Sequence, residues 1–145
     1  MNFAEELKQA SKLVLSEAEE DSKAITIKLF NSIIQDTPVG NPDLWVSKKK
    51  PKNYVGGRAR GNWQCSIGTP KTNDIDRKDK DGSAAQAEVL DSVLSLPPEG
   101  AVYLSNNLPY AQPLEFGHSG QAPAGMVRKN MARIKQILRE TLSKK

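Results

Sequence analysis

Residues 3–36 read FAEELKQASKLVLSEAEEDSKAITIKLFNSIIQD and are followed by Thr37-Pro38. Phe3, Leu7, Ala10, Val14, Ala18, Ile25, Leu29 and Ile33 recur three, four or seven apart, the spacing of one face of an α-helix. Asp36-Thr37-Pro38 predicts its stop, because a proline disfavours helical backbone in the residue before it. At about 1.5 Å per residue, 34 helical residues span about 50 Å. That is longer than a domain of this size is wide. The helix therefore either breaks near Glu19–Ser22 or projects past its own core to touch a neighbour.

Downstream, residues 37–62 hold Pro38, Gly40, Pro42, Pro51, Gly56, Gly57 and Gly61, a breaker density that predicts a long basic loop. Residues 62–68, NWQCSIG, alternate Trp63, Cys65 and Ile67 with polar residues, as a half-buried strand does. Residues 71–82, KTNDIDRKDKDG, read as an exposed, charge-balanced loop. Residues 83–96 predict a short helix with Ala84, Ala87, Leu90 or Asp91, and Leu94 on its packed side, stopped by Pro97-Pro98-Glu99-Gly100. A second strand is expected at residues 101–105, AVYLS, and a helical turn interrupted by Pro113 at residues 109–116. From Ala122 one more helix is expected, on Val127, Met131, Ile134, Leu138 and Leu142.

The pattern is α+β: a small antiparallel β-sheet packed against a long N-terminal helix and a C-terminal helix, with long loops. One domain over 1–145 is expected, divided into the helix 1–36, the basic loop 37–62, a sheet and turn region 63–121 and the C-terminal helix 122–145. Hydrophobic residues make up 37% of the chain, so the core is lean and suited to completion by partner chains. Charge comes in blocks: −3 over residues 1–36, +5 over 37–70, −4 over 82–121 and +6 over 122–145. Opposite blocks allow an acidic surface of one copy to meet a basic surface of another.

No apolar run reaches the roughly 18 residues of a membrane span, and the polar, early-acidic start does not read as a signal peptide. A soluble, intracellularly made chain with no membrane partner is expected. A lone Cys65 and a lone His118 leave a zinc site short of ligands and exclude an internal disulfide, and the phosphate-loop and dinucleotide fingerprints are missing. Neither metal nor cofactor is expected. Cys65 and His118 as nucleophile and base would make a hydrolase, but strand alternation sets Cys65 beside Trp63 and Ile67, where a thiol acts as a small apolar group. Glu115, three residues from His118, is read as fixing the Gly117–Gly120 loop by a hydrogen bond. Trp63, Tyr110 and Phe116 are read as core anchors, with Asn106, Asn107 and Pro109 shaping a turn. Trp45, Lys48, Lys49, Lys50, Tyr54, Arg58 and Arg60 form a basic tract with aromatic neighbours, which fits docking to an acidic surface. The competing reading is a nucleic-acid-binding protein that uses loop 48–60, with Trp45 and Tyr54 stacking on bases.

Two blocks carry a resemblance. The first is TPVGNPDLW at 37–45 with YVGGRARGNW at 54–63; the second is VYLSNNLPYA at 102–111 with LEFGHS at 114–119 and QAPAGMV at 121–127. Together they resemble the tail-completion, or tail-to-head joining, family of tailed bacteriophages, also called neck or minor tail proteins. Pro113 departs from the family's pattern, where a better helix former stands. The resemblance implies a structural virion protein and not an enzyme. It implies a ring, often hexameric, of copies of itself between a head-side connector or adaptor protein and the tail tube or tail terminator protein. Such a subunit is assembled in the host bacterial cytoplasm, resides in the virion neck and has DNA passing transiently through its channel.

Overall fold

The computed structural model describes residues 2–40, 56–117 and 119–143. In chain order they form α1 (Phe3–Asp36), α2 (Arg58–Gly61), β1 (Trp63–Ile67), α3 (Ser83–Leu94), β2 (Val102–Asn106), α4 (Ala111–Glu115), α5 (Val127–Ala132) and α6 (Ile134–Leu142). The fold is α+β. β1 and β2 form one antiparallel pair, with Trp63 opposite Asn106, Cys65 opposite Leu104 and Ile67 opposite Val102. α1 packs on α3, α5 and α6, and α3 packs on both strands.

α1 is unbroken across Glu19–Ser22. Its start is fixed by a capping box: Glu5 N–H donates to Asn2 Oδ1 at 2.9 Å, and Asn2 N–H donates to Glu5 at 3.4 Å. Its end is Thr37, whose extended backbone and following Pro38 cannot continue the helix. Ile33 and Ile34 are the α1 residues in the core, where they meet Trp63, Cys65, Ala85, Val89, Val93, Ala122 and Met126. Every residue from Phe3 to Ala18 is exposed, so the first half of α1 is an arm that leaves the core. Sixteen residues of arm reach about 24 Å.

The outer edge of β1 is covered by side chains instead of a third strand. Cys65 N–H donates to Glu88 Oε1 at 2.7 Å, Arg77 donates to Trp63 O at 2.8 Å, and Ser92 donates to Cys65 O at 3.4 Å. An open edge is thereby removed from competition with other strands.

Several expectations are corrected. The packed face of α3 is Ala85, Val89 and Val93, each 1% exposed or less, whereas Leu90 and Leu94 face outward at 46 and 60%. The two stripes lie one position apart on the helix, and the β-branched one is the one inside. The tract 71–82 is no solvent loop throughout: Asp79 is buried and its carboxylate accepts from Ala85 N–H at 2.9 Å, holding the start of α3. The basic loop 37–62 contains a one-turn helix, α2. The second strand is shifted by one residue, to Val102–Asn106. The C-terminal helix starts at Val127, not Ala122, and is two helices meeting at Arg133. Before that joint, the buried Asn130 donates its amide to Met126 O at 2.7 Å and to Asp36 at 2.8 Å. A side chain that returns to the carbonyl four residues back competes with the helix ladder and bends it. Pro113 is accommodated because it is the third residue of α4, where no intrahelical N–H bond is required.

Candidate docking surfaces

The described residues of the two sequence blocks form two knots that face each other across an open cleft. In the first, Thr37 is the centre. Its hydroxyl donates to Ile33 O at 2.8 Å and accepts from Trp63 Nε1 at 2.7 Å, both buried. The Arg60 guanidinium donates to Thr37 O at 2.8 Å and Gln35 O at 2.9 Å, and also to Lys80 O. α1 has no basic residue in its own last turn, so Arg60 satisfies its terminal carbonyls from elsewhere in the chain. Arg77 ties the same region from the other side, donating to Gly61 O at 2.7 Å, Trp63 O and Glu88. A Cβ on Gly61 would sit 2.1 Å from Arg77 O, so this approach admits glycine alone. Asn62 completes the knot, accepting from Ile75 N–H and donating to Arg58 O, each at 2.8 Å.

The second knot is built on Glu115. Its carboxylate accepts from the backbone N–H groups of Met126, Val127 and Arg128 at 2.8–2.9 Å, and from Arg128 Nε at 3.2 Å. It is thus the anion at the N-terminus of α5. Burial opposes its charge, yet the amide bonds from Arg128, Val127 and Met126 outweigh that and hold its pKa below the ordinary glutamate value. Gly125 lies at φ +78°, and a Cβ there would meet Glu115 O at 2.3 Å, so the Ala-Gly-Met turn requires its glycine. Asn106 donates to Ala59 O at 2.8 Å and accepts from Leu108 N–H at 3.3 Å, and Asn107 donates to Lys71 O at 2.9 Å. Pro109 lies in the exposed turn that leads into α4, and Gly117 N–H donates to Leu114 O as the chain leaves it. An open cleft of about 420 Å³ separates the knots, with Thr37, Pro38 and Arg60 on one wall and Gln121, Ala124 and Lys129 on the other. Gln121 bridges it, donating to Val39 O at 3.2 Å.

The sequence-predicted docking set therefore divides. Trp45, Lys48, Lys49, Lys50 and Tyr54 lie outside the described residues, as does His118. Arg58 is exposed and pairs with Asp74 at 3.3 Å. Arg60 is half-buried and acts as an internal clamp, its guanidinium bonded to three carbonyls of its own chain. Trp63 is core at 6% exposure, whereas Tyr110 and Phe116 are not core anchors, at 41 and 58%. Phe116 instead carries the Arg128 guanidinium 4.9 Å above its ring. The expected bond of Glu115 to His118 in the Gly117–Gly120 loop lies outside the described residues; among these, Glu115 bonds the N-terminus of α5. Cys65 is 4% exposed, and burial pushes its thiol pKa up, opposite to what a nucleophilic cysteine requires.

Sequence reasoning missed Thr37, Arg77, Asp79 and Glu88 as organisers. The interleaved charges of 71–81 look the same whether they face water or a buried carbonyl. The described surface includes the exposed α1 arm with its apolar stripe, the outward face of α3 and the exposed cations of α6. Among the described residues no group of three His, Cys, Asp or Glu is placed to hold a metal ion, and no helix is long and apolar enough to cross a membrane. No family model, no curated protein and no solved structure matches this chain.

Proposed function

We propose that this chain is a structural subunit of a tailed-bacteriophage neck, a tail-completion or head-tail connector protein that acts by assembling with copies of itself and docking to head-side and tail-side proteins. The observation that carries the reading is the α1 arm. Phe3, Leu7, Leu13, Val14 and Leu15 are each more than half exposed on a helix that leaves its own core. A capped helix with large apolar side chains in water is a surface awaiting another chain. The two sequence blocks add to this, since their described residues become two knots braced by side-chain-to-backbone hydrogen bonds on either side of one cleft. The reading gives Cys65 a packing role and assigns no catalytic residue.

The rival reading, nucleic-acid binding through loop 48–60, loses one of its cations, since Arg60 serves its own chain's carbonyls, while Arg58 is exposed beside Asp74. Electron microscopy of particles assembled without this protein tests the proposal. Filled heads separate from finished tails are expected; intact, infective particles would overturn it. Binding of short duplexes with a steep loss of affinity in salt would favour the rival.

A further inference from the structure

We infer that the α1 arm of one copy docks on the outer face of α6, continued onto α5, of the next copy, and that this heterologous contact is what joins subunits. The inference rests on the reading of the chain as an assembling subunit and names the surfaces that do it. Three observations carry it.

The first is the pattern on the arm. At 100° per residue, Phe3, Leu7, Ala10 and Val14 form one stripe, with Glu6 and Glu17 along one border. Lys8 and Lys12 fall on the far side. Residues 2–20 carry five glutamates against two lysines, so the arm is acidic where it is sticky.

The second is the acceptor. α6 buries Ile137 against its own chain and leaves Leu142 47% exposed, with Lys135 and Arg139 exposed on the preceding turns. Both cations are exposed and make no ion pair among the described residues. Met131 of α5 is exposed to a similar degree. Over residues 127–142, α5, α6 and the Arg133 joint between them, five basic residues stand against Glu140 alone.

The third is fit and exclusion. Phe3–Ala18 is 16 residues, about 24 Å of continuous helix, and Val127–Leu142 matches it in residue number as two helices joined at Arg133. Pairing two arms would set Glu6 and Glu17 against their own kind. Another outward apolar face, Leu90 and Leu94 of α3, carries Asp91 and no cation within α3. The α6 face offers apolar contact and opposite charge together. Because donor and acceptor patches differ, each copy keeps one free arm and one free face, and the contact propagates until a ring closes.

Two full-length variants test this by sedimentation. The first carries Phe3→Glu and Leu7→Glu and retains α6; the second carries Lys135→Glu and Arg139→Glu and retains the arm. All substituted side chains are exposed, so circular dichroism should match wild type. Wild type is expected to self-associate, and each variant alone at least about tenfold more weakly. An equimolar mixture should yield a one-to-one dimer and stop there, since one arm and one face remain. Adding Glu6→Lys and Glu17→Lys to the second variant should restore association. A wild-type chain that stays monomeric, a mixture that stays monomeric, or a second variant that assembles like wild type would overturn the inference; the last outcome assigns the arm to another arm or to α3. A one-to-one dimer with infective knockout particles would leave the contact standing and remove the neck assignment. No dimer, with heads and tails found separate, would do the reverse.

Discussion

At the scale of single residues, the chain spends two arginines of one motif in different ways. Arg60 gives its guanidinium to the carbonyls that end α1, and Thr37, one of those acceptors, has no exposed surface of its own. Removing the donor strands a buried acceptor. Arg60→Ala should therefore lower unfolding free energy by about 1.5–3 kcal/mol. Arg58→Ala removes an exposed pair and should change it by less than about 1 kcal/mol. Urea unfolding of both variants decides the point: equal losses would mean that Arg60 is not a clamp. Glu115 makes a matching prediction in pH. Its folded pKa lies below the ordinary value, so the stability it contributes is present above about pH 4.3 and is lost as pH falls through the folded pKa. Glu115→Gln should flatten the acid limb of the stability curve below that pH, as read by thermal unfolding across pH 3–6. An unchanged limb would deny the carboxylate its hold on α5.

At the scale of elements, the core is where α1, α3 and β1 meet, and the prediction is about which helix face matters. Ile34 has no exposed surface, and Ile34→Ala should cost about 2–5 kcal/mol. Leu94 is 60% exposed, and Leu94→Ala should stay within about 0.5 kcal/mol. Reversal of that order in chemical denaturation would contradict the placement of Ile34 in the core and of Leu94 on the surface. The α+β class, the length of α1 and its stop at Asp36, and the sites of both strands were legible in the sequence, because periodicity and proline chemistry are local. The α3 face was not: Ala84, Ala87, Leu90 and Leu94 make as regular a stripe as Ala85, Val89 and Val93, and only the tertiary partner chooses between them. The joint at Arg133 escaped because it depends on Asn130 reaching Asp36, 94 residues away. The candidate site was half legible. The apolar stripe of the arm is plain in residues 3–18, while the roles of Arg60, Arg77 and Glu115 depend on long-range carbonyls and amides that no spacing rule reveals.

At the scale of the whole molecule, the segregation of charge and the thin core express one arrangement: a compact body braced by side-chain-to-backbone clamps, from which an acidic helix extends and on which a basic helix faces outward. Salt separates this arrangement from its closest competitor. If the acidic arm seats on the basic α6 face, raising sodium chloride shrinks the screening length from about 10 Å at 0.1 M to about 3 Å at 1 M and weakens the attraction between Glu6, Glu17 and Lys135, Arg139. Subunit association should then fall as salt rises across that range, because the apolar stripe alone must hold the contact. If arms pair with arms instead, the same salt screens the repulsion of glutamate by glutamate, and association should rise. Sedimentation equilibrium of the wild-type chain at the two salt concentrations therefore gives opposite signs for the two assemblies. The variant that reverses Lys135 and Arg139 supplies the control: having lost its attractive partner, it should gain association with salt where wild type loses it.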